Sequence, residues 1–213
     1  MKLLIALVGS AVFVALFKRL IRRYPIVFYL AACVIDVALL SGALLSLPAG
    51  LAAATFPYAA RCLVGFSLFA IVMYAGALPD GSKIRQAVMP IRGELSIIAA
   101  ILTIGHVVNY LGSYLTQILS GFAGMSAGMV VSFCVSSVLI VLLAALTITS
   151  FEAVKSRMEA AVWKRLQKTA YAFFLLTYAH LLFVLLPTVA SAGQRSMLSI
   201  ILYSIVVLGW VVL

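Results

Sequence analysis

An all-α membrane protein with about seven transmembrane helices is the fold class this sequence predicts, and three observations carry the prediction. Apolar residues make up 66% of the 213 and charged residues 9%, too few charges to clothe a soluble core of this size. The apolar residues fall in repeated runs of about 20, the length that crosses a bilayer as helix. The runs also lack the apolar–polar alternation of membrane barrel strands. A net charge of +10 would suit nucleic acid, but the basic residues cluster in short connections between apolar runs. Membrane topology therefore explains them better.

Seven spans fit, at about 3–17, 26–47, 59–77, 95–118, 127–149, 166–187 and 197–213. The first has only Lys2 before its apolar run and KRLIRR straight after it, the reverse of a secretory signal's charge order. It reads as an uncleaved anchor. Lys18, Arg19, Arg22, Arg23, Lys83, Arg85, Arg92, Lys155, Arg157, Lys164, Arg165 and Lys168 lie in alternate connections, against Lys2, Arg61 and Arg195 in the other set. Twelve against three places the first set in the cytoplasm, the N-terminus outside and the C-terminus inside. The outer connections SLPAGLAAATFPY, LSGFAGMS and PTVASAGQRS carry turn residues and almost no charge. The inner loop LPDGSKIRQAVMPIRG is a Pro/Gly-bounded turn. In the other inner connection Phe151, Val154, Met158, Val162 and Leu166 recur every three or four residues between charges, which predicts an amphipathic surface helix leading into span six. Cys33, Cys62 and Cys134 have neither zinc-ligand nor disulfide spacing and read as packing residues.

The chain has two histidines. His106 lies within span four and His180 within span six, each twelve residues beyond the charged residue that opens its stretch, Glu94 or Lys168. At ~1.5 Å per residue both imidazoles sit about 18 Å in, at matching depth. Two ionisable groups at one level in a membrane are a functional signal, although a buried histidine is also a common interhelix contact. If the two helices run the same way, the rings can face each other across a flat cofactor. Haem suits this pattern, since its iron takes two axial imidazoles and its macrocycle fills an apolar slot. Zinc fits poorly, because no cysteine or carboxylate has helical spacing to either histidine.

The flanking residues have paired readings. Thr103 and Thr177 each precede a histidine by three residues; either holds a ring nitrogen or bonds its own helix backbone. Gly105 and Gly112 either thin span four for a macrocycle or serve helix packing. Asn109 and Tyr110 lie on the His106 side, to contact a cofactor edge or bridge helices. Arg61, at the outer end of span three, is the candidate partner for haem propionates, with snorkelling to the surface as the alternative. Asp36 is the only acid deep in a span. It pairs with a neighbouring helix's polar group, joins a proton path or stays protonated.

These residues resemble the ferric-reductase-like transmembrane domain family, and within it the MsrQ-like haem b membrane subunits. The family pattern is a G-x-x-A-rich helix, a basic loop, R-x-x-L and a helix ending in H-x-x-x-Y-L. Here it reads GFSLFAIVMYAGALP and then IRGELSIIAAILTIGHVVNYL. A later W-x-x-L-H-x-x-x-Y helix, with a second histidine thirteen residues on, reads WKRLQKTAYAFFLLTYAH. The likeness runs from about residue 30 to 210. It implies a six-helix haem-binding bundle over 26–213, with residues 1–25 as an extra N-terminal helix and basic loop. Gln167 stands where relatives carry the earlier histidine, and Arg92 stands at the matching depth of span four. The resemblance therefore implies one haem b, with His106 and His180 as its axial ligands. A flavin or quinone near Trp163, Lys164, Arg165 and Lys168 would bridge the gap on the cytoplasmic side, or those residues anchor the helix at the interface.

The implied function is electron transfer across the cell membrane. The donor would be a cytoplasmic flavoprotein reductase or a quinol, and the acceptor an extracytoplasmic oxidoreductase or ferric iron. No G-x-G-x-x-G fingerprint occurs, so the chain is expected to be the membrane subunit of a larger oxidoreductase system. The rivals are a haem-free transporter or assembly subunit with structural histidines, and a haem-handling or haem-sensing protein. A transporter would favour discontinuous helices and an inverted repeat, and the sequence displays neither.

Overall fold

The computed structural model describes residues 2–213, and among them every regular element is helical. In chain order these are α1 (Lys2–Arg23), α2 (Pro25–Leu40), α3 (Ala49–Ala60), α4 (Leu63–Ala77), α5 (Lys83–Val88) and α6 (Arg92–Leu119). They are followed by α7 (Ala127–Ile148), α8 (Glu152–Lys155), α9 (Ala160–Leu185), α10 (Val189–Ala192) and α11 (Gln194–Val211). Five continuous or gently bent stretches are long and apolar enough to cross a membrane: Lys2–Arg23, Lys83–Leu119, Ala127–Ile148, Ala160–Ser191 and Gln194–Val211. The pair α3 and α4 is long and apolar enough when taken together, but is bent by 50° at its break. Many large apolar side chains point away from the protein, among them Ile5, Val8, Val12 and Leu16 of α1. A surface of this kind is stable against hydrocarbon, not water.

Three sequence expectations are corrected. Span two is shorter than expected: α2 stops at Leu40 after 16 residues, and 41–47 turn. The connection SLPAGLAAATFPY is mostly helix, because its four alanines and Leu51 outweigh its turn formers and Pro48 sits at the N-cap, where no backbone donor is needed. The predicted amphipathic helix is not continuous. It is one turn, α8, then a break at 156–159, with α9 starting at Ala160. Two bonds explain the tight turn: Trp163 Nε1–H donates to Thr149 O at 2.9 Å and the Gln167 amide donates to Thr149 Oγ1 at 3.2 Å. The start of α9 thereby caps the end of α7, whose last carbonyls would otherwise lack donors.

The chain forms two compact units, residues 2–112 and 113–213, the division falling within α6 after Gly112. In the first unit α4 is buried on nearly all sides, through Leu63, Phe66, Leu68, Ala70, Met73 and Ala75. The first half of α6 is equally enclosed, with Leu95, Ala99 and Ala100 at zero exposure. Val14 and Ile21 of α1 complete this core with Leu68, Ala75, Val88, Ile91 and Leu95. Arg85 fixes the turn after α4: its guanidinium donates to Gly76 O (2.7 Å) and Leu78 O (2.8 Å) and pairs with Asp80 (2.9 Å). In the second unit α9 packs along α7 and against α11. Tyr178 bonds Ser204 at 2.6 Å, and Trp210 meets Tyr171 and Phe174 at ring distances of 5.6 and 5.3 Å.

Candidate functional site

His106 is held at the interruption between α3 and α4. Pro57 stiffens α3, and the helix gives way at Arg61 and Cys62; Cys62 takes the left-handed conformation (φ 51°), rare for a residue with a Cβ. At such an end carbonyls lose their helical donors. Here Pro57 O accepts from the Arg61 N–H and Ala59 O from the Cys62 N–H. Ala60 O accepts from His106 Nδ1 at 2.7 Å. A carbonyl only accepts, so Nδ1 carries the hydrogen, and a neutral ring then has its lone pair on Nε2.

The interruption is pinned to α6 from the side. Cys62 Sγ lies 3.3 Å from Thr103 Oγ1 and 3.9 Å from Leu102 O. Thr103 itself donates to Ala99 O at 2.7 Å. Gly65 makes the approach possible, since a Cβ there would stand 2.6 Å from Cys62 Sγ and 3.2 Å from Thr103 Oγ1. Asp36, 9% exposed, occupies the space over Gly105, where a Cβ would collide with its carboxylate. Gly105 thus makes room for an acid on α2, and of the readings offered by sequence the packing one holds.

His180 is held differently. Its Nδ1 lies 3.0 Å from Ser132 Oγ and 3.0 Å from Ser136 Oγ, both on α7. Ser136 Oγ also donates to Ser132 O at 2.8 Å. Of the two readings of Thr103 and Thr177, the structure shows the backbone one. Thr177 donates to Phe173 O at 2.8 Å, as Thr103 does to Ala99 O, so the hydrogen of each goes to its own helix. The groups that replace them are a backbone oxygen, which no side-chain pattern signals, and two serines one turn apart in SFCVS, a spacing that was readable.

Of the remaining candidates, Tyr110 sets its ring against His106 at 5.0 Å and 60°. Asn109 is half-buried three residues beyond it, and Arg61 is exposed at the interruption, next to Ala60. Trp163 and Gln167 are engaged by Thr149, and Lys155 Nζ lies 5.5 Å from the centre of the Trp163 ring. Cys33, Cys62 and Cys134 are free thiols. Among the described residues no three His, Cys, Asp or Glu side chains gather as a metal site; a haem iron asks for only two imidazoles.

The chain is similar to a protein of Treponema pallidum (strain Nichols) described as uncharacterized, with 37% identity over 210 residues. The match takes in 97% of this chain and 58% of that protein, so the chain spans less than two thirds of its relative's length. No family model matches the chain, and no solved structure matches it.

Proposed function

We propose that the protein is a membrane electron-transfer subunit holding one haem b through Nε2 of His106 and Nε2 of His180. The observation that carries this reading is that each ring has its Nδ1 engaged by oxygens of its own unit. Axial histidines are oriented in this way, and an Nδ1–H···O bond makes Nε2 a better electron donor to iron. The donor set fits: two imidazoles in long apolar helices. When bound, haem supplies one-electron transfer, and the chain supplies ligation, burial and orientation. Tyr110 and Asn109 would border the His106 side, and Arg61 is the cation closest in sequence to the carbonyl that holds that ring. Gln167, spent on capping α7, leaves no second histidine pair, consistent with a single haem.

In this reading α2, with the turns after it, makes a seventh pass, which puts the twelve-residue basic set in the cytoplasm and the N-terminus outside. Electrons enter from a cytoplasmic flavoprotein or a quinol and leave to an extracytoplasmic oxidoreductase or ferric iron. The test is a dithionite-reduced minus oxidised spectrum of the purified protein supplied with haemin. A low-spin b-type α-band is expected; His106→Ala and His180→Ala each lose it, and Gln167→Ala keeps it. Absence of the band from the native protein, or a six-coordinate spectrum in both histidine variants, overturns the assignment.

The interruption between α3 and α4 favours transport as a second reading, because broken helices are common at transporter sites. Against it, the carbonyls of Pro57, Ala59 and Ala60 are already taken by donors of the protein.

A further inference from the structure

The two serines facing His180 are not equivalent. A serine hydroxyl has one hydrogen to give and two lone pairs to offer. Ser136 is placed to give its hydrogen to Ser132 O at 2.8 Å, and while it makes that bond it presents lone pairs toward His180 Nδ1. Ser132, 1% exposed, has His180 Nδ1 as the single hydrogen-bond partner of its hydroxyl among the described residues, and can accept from that nitrogen or donate to it. If Nδ1 were bare, either its lone pair would face that of Ser136 across 3.0 Å, an unfavourable contact in a medium of low dielectric, or Ser136 would have to give up its bond to Ser132 O. If Nδ1 bears the hydrogen, both oxygens accept from it.

We infer that Ser136 is the positioning residue that selects the Nδ1–H tautomer of His180, while Ser132 tolerates either tautomer. The consequence is asymmetric. Removing Ser136 removes that bias, and the Ser132 hydroxyl, whose hydrogen meets Nδ1 as its one acceptor among the described residues, then donates to Nδ1; this favours the ring hydrogen on Nε2 and withdraws the lone pair that iron needs. Removing Ser132 leaves the acceptor in place, because the carbonyl that fixes the Ser136 hydrogen belongs to the backbone of residue 132. The consequence for iron rests on the haem reading; the tautomer does not.

The experiment is nitrogen NMR on haem-free protein labelled with 15N-histidine and held in lipid nanodiscs. Only two imidazoles contribute. In the native chain both rings are expected to show a protonated Nδ1 and a bare Nε2. Ser136→Ala is expected to convert one ring to the Nε2–H form. Ser132→Ala leaves both unchanged, and Ser136→Thr, whose hydroxyl makes the same backbone bond, restores the native pattern. With haemin added, Ser136→Ala should weaken binding by about 10–100-fold, the range for loss of an outer-shell partner, and Ser132→Ala should not. An Nε2–H ring in the native protein, or equal effects of the two alanine variants, overturns the inference. Failure of the native protein to bind haemin defeats the functional proposal and leaves the tautomer result standing.

Discussion

Gly105→Ala tests how α2 and α6 are locked together beside His106. The added Cβ falls on the Asp36 head group, meeting its carboxyl carbon and both oxygens, so the whole head must move and not one atom. Asp36 is 9% exposed and has little room for this. Overpacking of this kind costs about 1–3 kcal/mol. The opposing gain is helix propensity, about 1 kcal/mol for Gly to Ala. Net destabilisation of up to about 2 kcal/mol is expected, read as loss of helical circular dichroism during titration with dodecyl sulfate in mixed micelles. Gly9→Ala is the control, since a Cβ there meets nothing within 4 Å, and it should be neutral or stabilising. The decisive variant is the double change with Asp36→Ala, in which the alanine at 105 no longer meets a carboxylate and recovers its propensity gain. The cycle should return a coupling of about 1–3 kcal/mol. Additivity of the two changes within about 0.5 kcal/mol would refute the contact.

Gly65→Ala should destabilise by a similar ~1–3 kcal/mol and disturb His106, because it drives Cys62 and Thr103 apart; the same unfolding assay and the His106 ring signal report it. Arg85→Ala removes the bonds to the carbonyls of Ala75, Gly76 and Leu78 and the Asp80 pair, for a loss of about 1–3 kcal/mol by the same titration. Trp163→Phe deletes the indole bond to Thr149 O and should cost about 0.5–1.5 kcal/mol while leaving a haem spectrum unchanged.

How far the sequence reaches depends on what kind of signal each feature leaves. Long apolar runs declare helices, and six of the seven expected spans correspond to stretches long enough to cross, one of them only as a bent pair. The histidines stand out because they are rare and ionisable. Their partners do not. Ala60 acts through a backbone oxygen released by an interruption that Pro57 hints at and that Cys62 completes in a conformation no propensity favours. Ser132 and Ser136 were legible as an i, i+4 pair, but serines in apolar helices usually bond their own backbone, as Ser136 also does. The amphipathic pattern of 151–166 misled for a different reason: period describes a face, whereas Trp163 and Gln167 made a tertiary cap that the period does not record.

The two readings of the broken span make opposite demands on His106. If the interruption is a site for a transported ion, its carbonyls serve the ion and the histidine is incidental. If it is a mount for the ring, the histidine also completes the backbone, and its removal strands Ala60 O in an apolar setting. A buried acceptor left without a donor costs about 1–3 kcal/mol. Haem-free His106→Ala should be destabilised by that amount in mixed-micelle unfolding. His106→Asn supplies an N–H at the position of Nδ1, so it should recover most of the stability and none of the low-spin haem spectrum. Native-like stability of haem-free His106→Ala would mean that the bond to Ala60 does not close the interruption, and the mount would have to be abandoned.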